Sequence, residues 1–219
     1  ATSSAARGLA DDAAVLDFGN SQLVLTMDAI VEGVHFFSED PPDTVAWKLV
    51  ATNVSDIAAK GAIPRGCLLT YPLADDESWN TAFLSGLAEA CHAFAIPLLG
   101  GDTVRQPKGS ARSFSLVALG EPDMGVRVPS RTDAQAGDTL WVSATIGDSG
   151  LGLSLLLGER KADPESQTLL VERFRRPKPN AALGVAVARH VHGMMDVSDG
   201  LLIDTLRLAT ASDLAAVID

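Results

Sequence analysis

Apolar and polar positions alternate enough over 23–27 to predict a strand, and the apolar-rich stretch 114–119 predicts another. Shorter apolar runs stand at 13–16, 96–99 and 194–195, and a carboxylate sits beside each of them. Asp12 precedes the first run, Asp28 closes the 23–27 strand, and Asp102 follows the Gly100-Gly101 pair, which reads as a turn. Asp196 and Asp199 follow Met195 and lead to Gly200. Carboxylates at strand ends beside glycines are held by rigid elements yet reach open space, which is where sites in α/β proteins are built.

Helical spacing appears between the strands. A helix is predicted over 44–60 with Asp43 as its cap and Gly61 as its stop. Val45, Leu49, Val50, Val54 and Ile57 form its apolar stripe, while Asn53, Asp56 and Lys60 share a polar face. A second helix is predicted over 78–94, with Phe83, Leu87, Cys91 and Phe94 turned to the core. After Arg131 the texture changes: a strand over 139–144, helices over 147–157, 165–174, 181–191 and 200–211, and two further candidate strands at 193–197 and 215–219. The fold class is α/β, with one domain over 1–133 and a second, incomplete one over 134–219. Asp148 or Ser149 is expected to cap the 147–157 helix, Trp47, Trp79 and Trp141 to lie in cores, and Arg173, Arg175 and Arg176 to form a solvated helix end.

Composition narrows the function. The 219 residues are 47% hydrophobic, so the chain can build a core and is not a disordered acidic tail. A formal charge of −11 repels nucleic acid. No run reaches the length of a membrane span, and the first residues lack the apolar core of a secretory signal. The two cysteines, Cys67 and Cys91, form no disulfide framework, so the chain reads as cytoplasmic.

The phosphate loop, the dinucleotide glycine fingerprint, the protein-kinase motifs and the zinc and nucleophile-elbow motifs are all absent. What remains is a set of isolated aspartates without histidine or cysteine neighbours, a donor set suited to Mg²⁺. A divalent ion is what allows an acidic pocket to accept a phosphate, so the set points to metal-dependent phosphoryl transfer. Helix caps and turns are the competing role for each aspartate taken singly.

Five blocks in order make the pattern specific. They are Asp11-Asp12 with the apolar run to Leu16; Thr26-Met27-Asp28 continuing to Glu32-Gly33-Val34-His35-Phe36; Trp47-Lys48 continuing through Asn53 and Asp56 to Gly61; Leu99-Gly100-Gly101-Asp102-Thr103; and Gly147-Asp148-Ser149 followed by Asp196-Val197-Ser198-Asp199-Gly200. Together they resemble the thiamine-monophosphate kinase family, within the superfamily of aminoimidazole ribonucleotide synthetase. The resemblance implies a two-domain fold whose N-terminal mixed sheet carries helices on one face. It implies transfer of the γ-phosphoryl group of ATP to thiamine monophosphate with several Mg²⁺ ions, in a homodimer paired through its sheets. Carried over by position, Asp12, Asp28, Asp56, Asp102, Asp196 and Asp199 resemble Mg²⁺ ligands, flanked by Thr26 and Met27 through side chain or backbone. Gly100, Gly101, Asp102, Arg131 and Ser198 resemble nucleotide contacts, and His35 resembles a residue near the thiamine substrate. The family's Gly-Gly-Glu-Asp-Tyr block would lie beyond Asp219. The alternatives are another ATP-using member of the superfamily, of the selenophosphate synthetase or hydrogenase-maturation kind, and a non-catalytic nucleotide-binding dimer.

Overall fold

The apolar run at 13–16 forms β1 (Ala14–Phe18), and the alternating stretch 23–27 lies inside a longer strand, β2 (Ser21–Val31). Asp28 is therefore an interior residue of β2 and not its end. The computed structural model describes residues 3–218. The first helix, α1 (Pro42–Ala59), begins at a proline in its first turn, where a missing N–H costs nothing. Its N-cap residue is Pro41, so Asp43 lies in the first turn and does not cap it. Gly61, at φ +59°, leaves the helix and leads into β3 (Ala62–Leu73), a strand absent from the sequence reading. The second helix, α2 (Glu77–Ala93), is capped by Asp76, whose Oδ1 accepts the Trp79 N–H at 3.0 Å. It is followed by β4 (Leu98–Arg105) and β5 (Ser113–Pro122).

The five strands form one mixed sheet in the order β1-β2-β5-β3-β4. Only the β3–β4 pair is parallel, as the β3–α2–β4 crossover requires. Along β5 every second residue, from Phe114 to Ala118, is buried, so one sheet face carries the core. Against it lie α1 and α2, with Leu49, Val50, Val54, Ile57, Phe83 and Leu87 packed inward. Phe83 and Phe114 stack at 4.5 Å between centroids, with Trp79 and Tyr71 around them.

The Gly100-Gly101 pair is not a turn but part of β4. Gly101 is needed for another reason: a Cβ there would stand 1.9 Å from the Leu69 carbonyl oxygen of β3. Gly101→Ala is expected to lower stability by about 2 kcal/mol, the scale of forced backbone shifts in a packed region. The urea midpoint measures it, and an unchanged midpoint would show that β3 and β4 separate freely.

The remainder is helical: α3 (Asp148–Leu156), α4 (Pro164–Arg175), α5 (Ala181–Ala188) and α6 (Leu201–Ala211). Several expectations fail here. Residues 139–144 pair with no strand among the described residues, and Trp141 is 86% exposed instead of core. Residues 193–197 and 215–218 are also irregular, Asp219 lying outside the described residues. A strand pattern without a neighbour to accept its hydrogen bonds makes no ladder. The N-cap of α3 is Gly147, while Asp148 Oδ2 accepts from the Thr145 hydroxyl at 2.5 Å. The arginines at the end of α4 are not a free helix end: Arg175 pairs with Asp40 at 2.7 Å and Arg176 stacks on Trp47 at 4.3 Å.

Candidate active site

Three aspartates from separate stretches of chain meet beside α1. Asp12 precedes β1, Asp56 lies on α1, and Asp196 lies between α5 and α6. One carboxylate oxygen from each falls within 4.8 Å of the other two. The period of β2 sends Thr26 and Asp28 to the same inner face, toward α1. There the Thr26 hydroxyl donates to Asp56 Oδ2 at 2.5 Å. The Asp28 N–H donates to Asn53 Oδ1 at 3.0 Å, and the Asn53 amide donates back to the Leu49 carbonyl. From the next position on α1, the Ser55 hydroxyl donates to Asp196 Oδ2 at 2.9 Å. The face predicted for Asn53, Asp56 and Lys60 thus exists, but it is turned into the protein: Asn53 and Lys60 are fully buried.

Charge is distributed unevenly over this cluster. Burial, and then the neighbouring charges of Asp196, Asp28 and Asp12, push Asp56 up to about 8 against the pull of its Thr26 hydrogen bond. Burial and the Asp12 charge raise Asp196 to about 6, with Ser55 and Arg131 partly offsetting them. Asp28 is raised by burial, which the His35 ring partly counters. Asp12 is different, because cations already face both of its oxygens. Arg131 donates to Oδ1, from Nε at 3.0 Å and from Nη2. Lys60 Nζ lies 2.6 Å from Oδ2, close as an ion pair but outside hydrogen-bond geometry. Asp11 is structural: burial would raise it, yet Lys60 and Arg7 hold it down at about 2.

Such a cluster fits a hard divalent cation. Its donors are carboxylate oxygens with a hydroxyl beside them, and no histidine or cysteine takes part. Among the described residues no lysine or arginine is bonded to Asp56 or Asp196, and burial, followed by the neighbouring carboxylates, is what raises both.

The remaining predicted residues are placed differently. Met27 points to the opposite sheet face and is 62% exposed, which leaves only its backbone for the site. Asp102 is exposed on β4, at the sheet edge, where its Oδ1 accepts the Thr103 N–H at 2.9 Å. Asp199 pairs with Arg207. Neither belongs to the three-carboxylate cluster. The Ser198 N–H is taken by Asp204, whose Oδ2 accepts from the backbone of Ser198, Asp199 and Gly200 at 2.9–3.0 Å. His35 is exposed on the loop after β2, and its Nδ1 accepts the Val31 N–H at 3.1 Å.

The family model described as AIR synthase related protein, N-terminal domain, matches residues 10–121, just over half of the chain. The chain belongs to the AIR synthase related family. The family's C-terminal domain model matches residues 135–219 of this AIR synthase related chain. It is 42% identical over 214 residues to the thiamine-monophosphate kinase of Caulobacter vibrioides, a match covering 96% of this chain and 59% of that relative. To the thiamine-monophosphate kinase of Escherichia coli K12 it is 36% identical, covering 97% of this chain and 65% of the relative. The chain therefore spans about three fifths of the length of these relatives. A solved structure of AaThiL complexed with AMPPCP and TMP superposes with a TM-score of 0.85 at 31% identity, covering 95% of this chain and 68% of that one.

The sequence reading placed Lys60 on the polar face with Asp56 but gave it no part in the cluster, and it singled out neither Ser55 nor Asp204. Ser55 gave no signal beyond being next to Asp56. Asp204, four residues after Gly200 and 1% exposed, anchors the loop carrying Ser198 and Asp199.

Proposed function

We propose that the protein transfers the γ-phosphoryl group of ATP to the phosphate of thiamine monophosphate, giving thiamine diphosphate. The observation that carries this reading is the half-buried cluster of Asp12, Asp56 and Asp196, in a fold that superposes on a structure complexed with AMPPCP and TMP. Asp56, Asp196 and Asp28 would hold Mg²⁺, with Asp12 joining them, Met27 contributing backbone, and Asp102 and Asp199 serving further ions. Bound Mg²⁺ neutralises phosphate charge, which is the chemistry it supplies here.

The chain's own groups then orient and bind. The Thr26 hydroxyl and Ser55 fix the rotamers of Asp56 and Asp196. Gly100, Gly101, Arg131 and the Ser198 hydroxyl contact the nucleotide, and His35 lies toward the thiamine. No side chain need remove a proton, because the accepting phosphate is already a nucleophile. Catalysis is positioning and charge neutralisation.

Residues 1–133 form the nucleotide-binding domain in this reading, and 134–219 belong to the second. A homodimer pairs through the sheet face opposite α1, where Leu16, Met27 and Leu68 are exposed. The expected compartment is the cytoplasm; no helix among the described residues is long and apolar enough to cross a membrane.

The test incubates the full-length protein with ATP, Mg²⁺ and thiamine monophosphate and follows thiamine diphosphate by fluorescence after oxidation. Product dependent on all three is expected. ATP binding without product at high enzyme concentration would contradict the reading and favour a non-catalytic nucleotide-binding dimer.

A further inference from the structure

Asp12 is the one member of the cluster whose charge is already matched, and the two cations that match it are not equivalent. Lys60 is fully buried and has nowhere to go. Its Nζ also lies 2.5 Å from Asp11 Oδ1 and donates to the Met194 carbonyl at 3.1 Å. It thereby ties the segment before β1 to the one carrying Asp196. Arg131 is 22% exposed, and every side-chain hydrogen bond it makes among the described residues goes to Asp12 Oδ1. Its backbone is separately anchored, the carbonyl accepting from the Ser212 hydroxyl at 2.7 Å. A fixed backbone and a half-open guanidinium leave one freedom, a swing of the side chain.

We infer that Arg131 is an exchangeable counter-ion of Asp12: an incoming phosphate group draws the guanidinium away and releases the carboxylate to a divalent cation. The inference rests on the nucleotide reading above. Its chemistry is that of the guanidinium fork, which takes phosphate oxygens as readily as carboxylate oxygens. While Arg131 stays on Asp12, the cation site lacks one of its three carboxylates. Once a phosphate holds Arg131, that carboxylate faces Asp56 and Asp196 with Lys60 alone beside it. Anion and cation therefore assist each other's binding, and by linkage the assistance is equal in both directions.

Two measurements without turnover test this. The first is the affinity of ATP in excess chelator for wild type, Asp12→Asn, Arg131→Met and the double variant. Asp12→Asn is expected to bind metal-free ATP about tenfold more tightly, and the same substitution to have little effect once Arg131 is Met. Equal tightening in both backgrounds would mean simple removal of negative charge and would overturn the exchange. The second is Mn²⁺ binding followed by electron paramagnetic resonance with no nucleotide present. Arg131→Met is expected to bind Mn²⁺ about tenfold more tightly than wild type. Unchanged or weaker binding would overturn the exchange. Melting curves confirm that the variants fold, and Arg131→Gln replaces Arg131→Met if that one does not. Wild type that binds no ATP would contradict the nucleotide reading, while the Mn²⁺ arm still judges the counter-ion alone.

Discussion

Asp56→Asn is expected to lower thiamine diphosphate formation by about 10²–10³-fold, the scale of removing one preorganised electrostatic group from a phosphoryl- or acyl-transfer site. The same variant is expected to melt higher than wild type in chelator at pH 8. Both effects have one cause. Asp56 sits between β2 and α1 with Thr26 as hydrogen-bond donor and no bonded lysine or arginine, so its negative charge is useful only with a cation present. Asparagine keeps the shape and can still accept from Thr26, while removing a buried charge that the empty fold must otherwise carry. Wild-type turnover would remove Asp56 from the site. Lowered turnover with lowered stability would assign it to the fold instead.

The second large effect is the pH dependence of stability without metal. Burial pushes Asp56 up to about 8 and Asp196 up to about 6, above the ordinary carboxylate value of 3.8. Between those limits the folded chain binds more protons than the unfolded chain, so stability falls as pH rises from about 4 to 8. Below the unfolded value the contribution is fully present. Asp11 works the other way: held at about 2, its contribution is present above 3.8 and is lost as pH falls toward 2. Metal-free protein is therefore expected to be most stable near pH 4, losing stability to acid below it and to alkali above it. Mg²⁺ is expected to raise the melting temperature at pH 8 by roughly 5–10 °C and much less at pH 5.5, where protons already neutralise Asp56. Scanning calorimetry at the two pH values checks this, and an equal Mg²⁺ shift at both would contradict it.

Asp12, Asp28, Asp102, Asp196 and Asp199 were legible in the sequence because each stands close to an apolar run, and Asp56 because it shares a helix face with Asn53 and Lys60. Their grouping was less so. Asp12, Asp56 and Asp196 come together, while Asp102, on the edge strand β4, and Asp199 do not join them. Nothing local distinguishes the two sets, since the distance between elements is settled by packing. The missed strand β3 has a local reason. Pro64, Gly66 and Pro72 make it read as loop, and the ladder accommodates the first two with a register shift between Pro64 and Gly66. Gly100 and Gly101 misled in the same direction, their small size serving strand approach in place of a turn. The stretch 139–144 misled in the opposite direction, because an apolar run such as Leu140-Trp141-Val142 reads as a strand whether or not a neighbour is there to pair with it.

The central claim is that the Asp12–Asp56–Asp196 cluster binds a divalent cation beyond the one that accompanies ATP. It is tested most directly by following thiamine diphosphate formation while free Mg²⁺ is raised at constant MgATP. Turnover in the wild type is expected to keep rising with free Mg²⁺ after all ATP is complexed, and Asp196→Asn to need about tenfold more or higher free Mg²⁺ to reach half its maximum. A wild-type rate already saturated when ATP is fully complexed, with the same Mg²⁺ dependence in Asp196→Asn, would contradict the account.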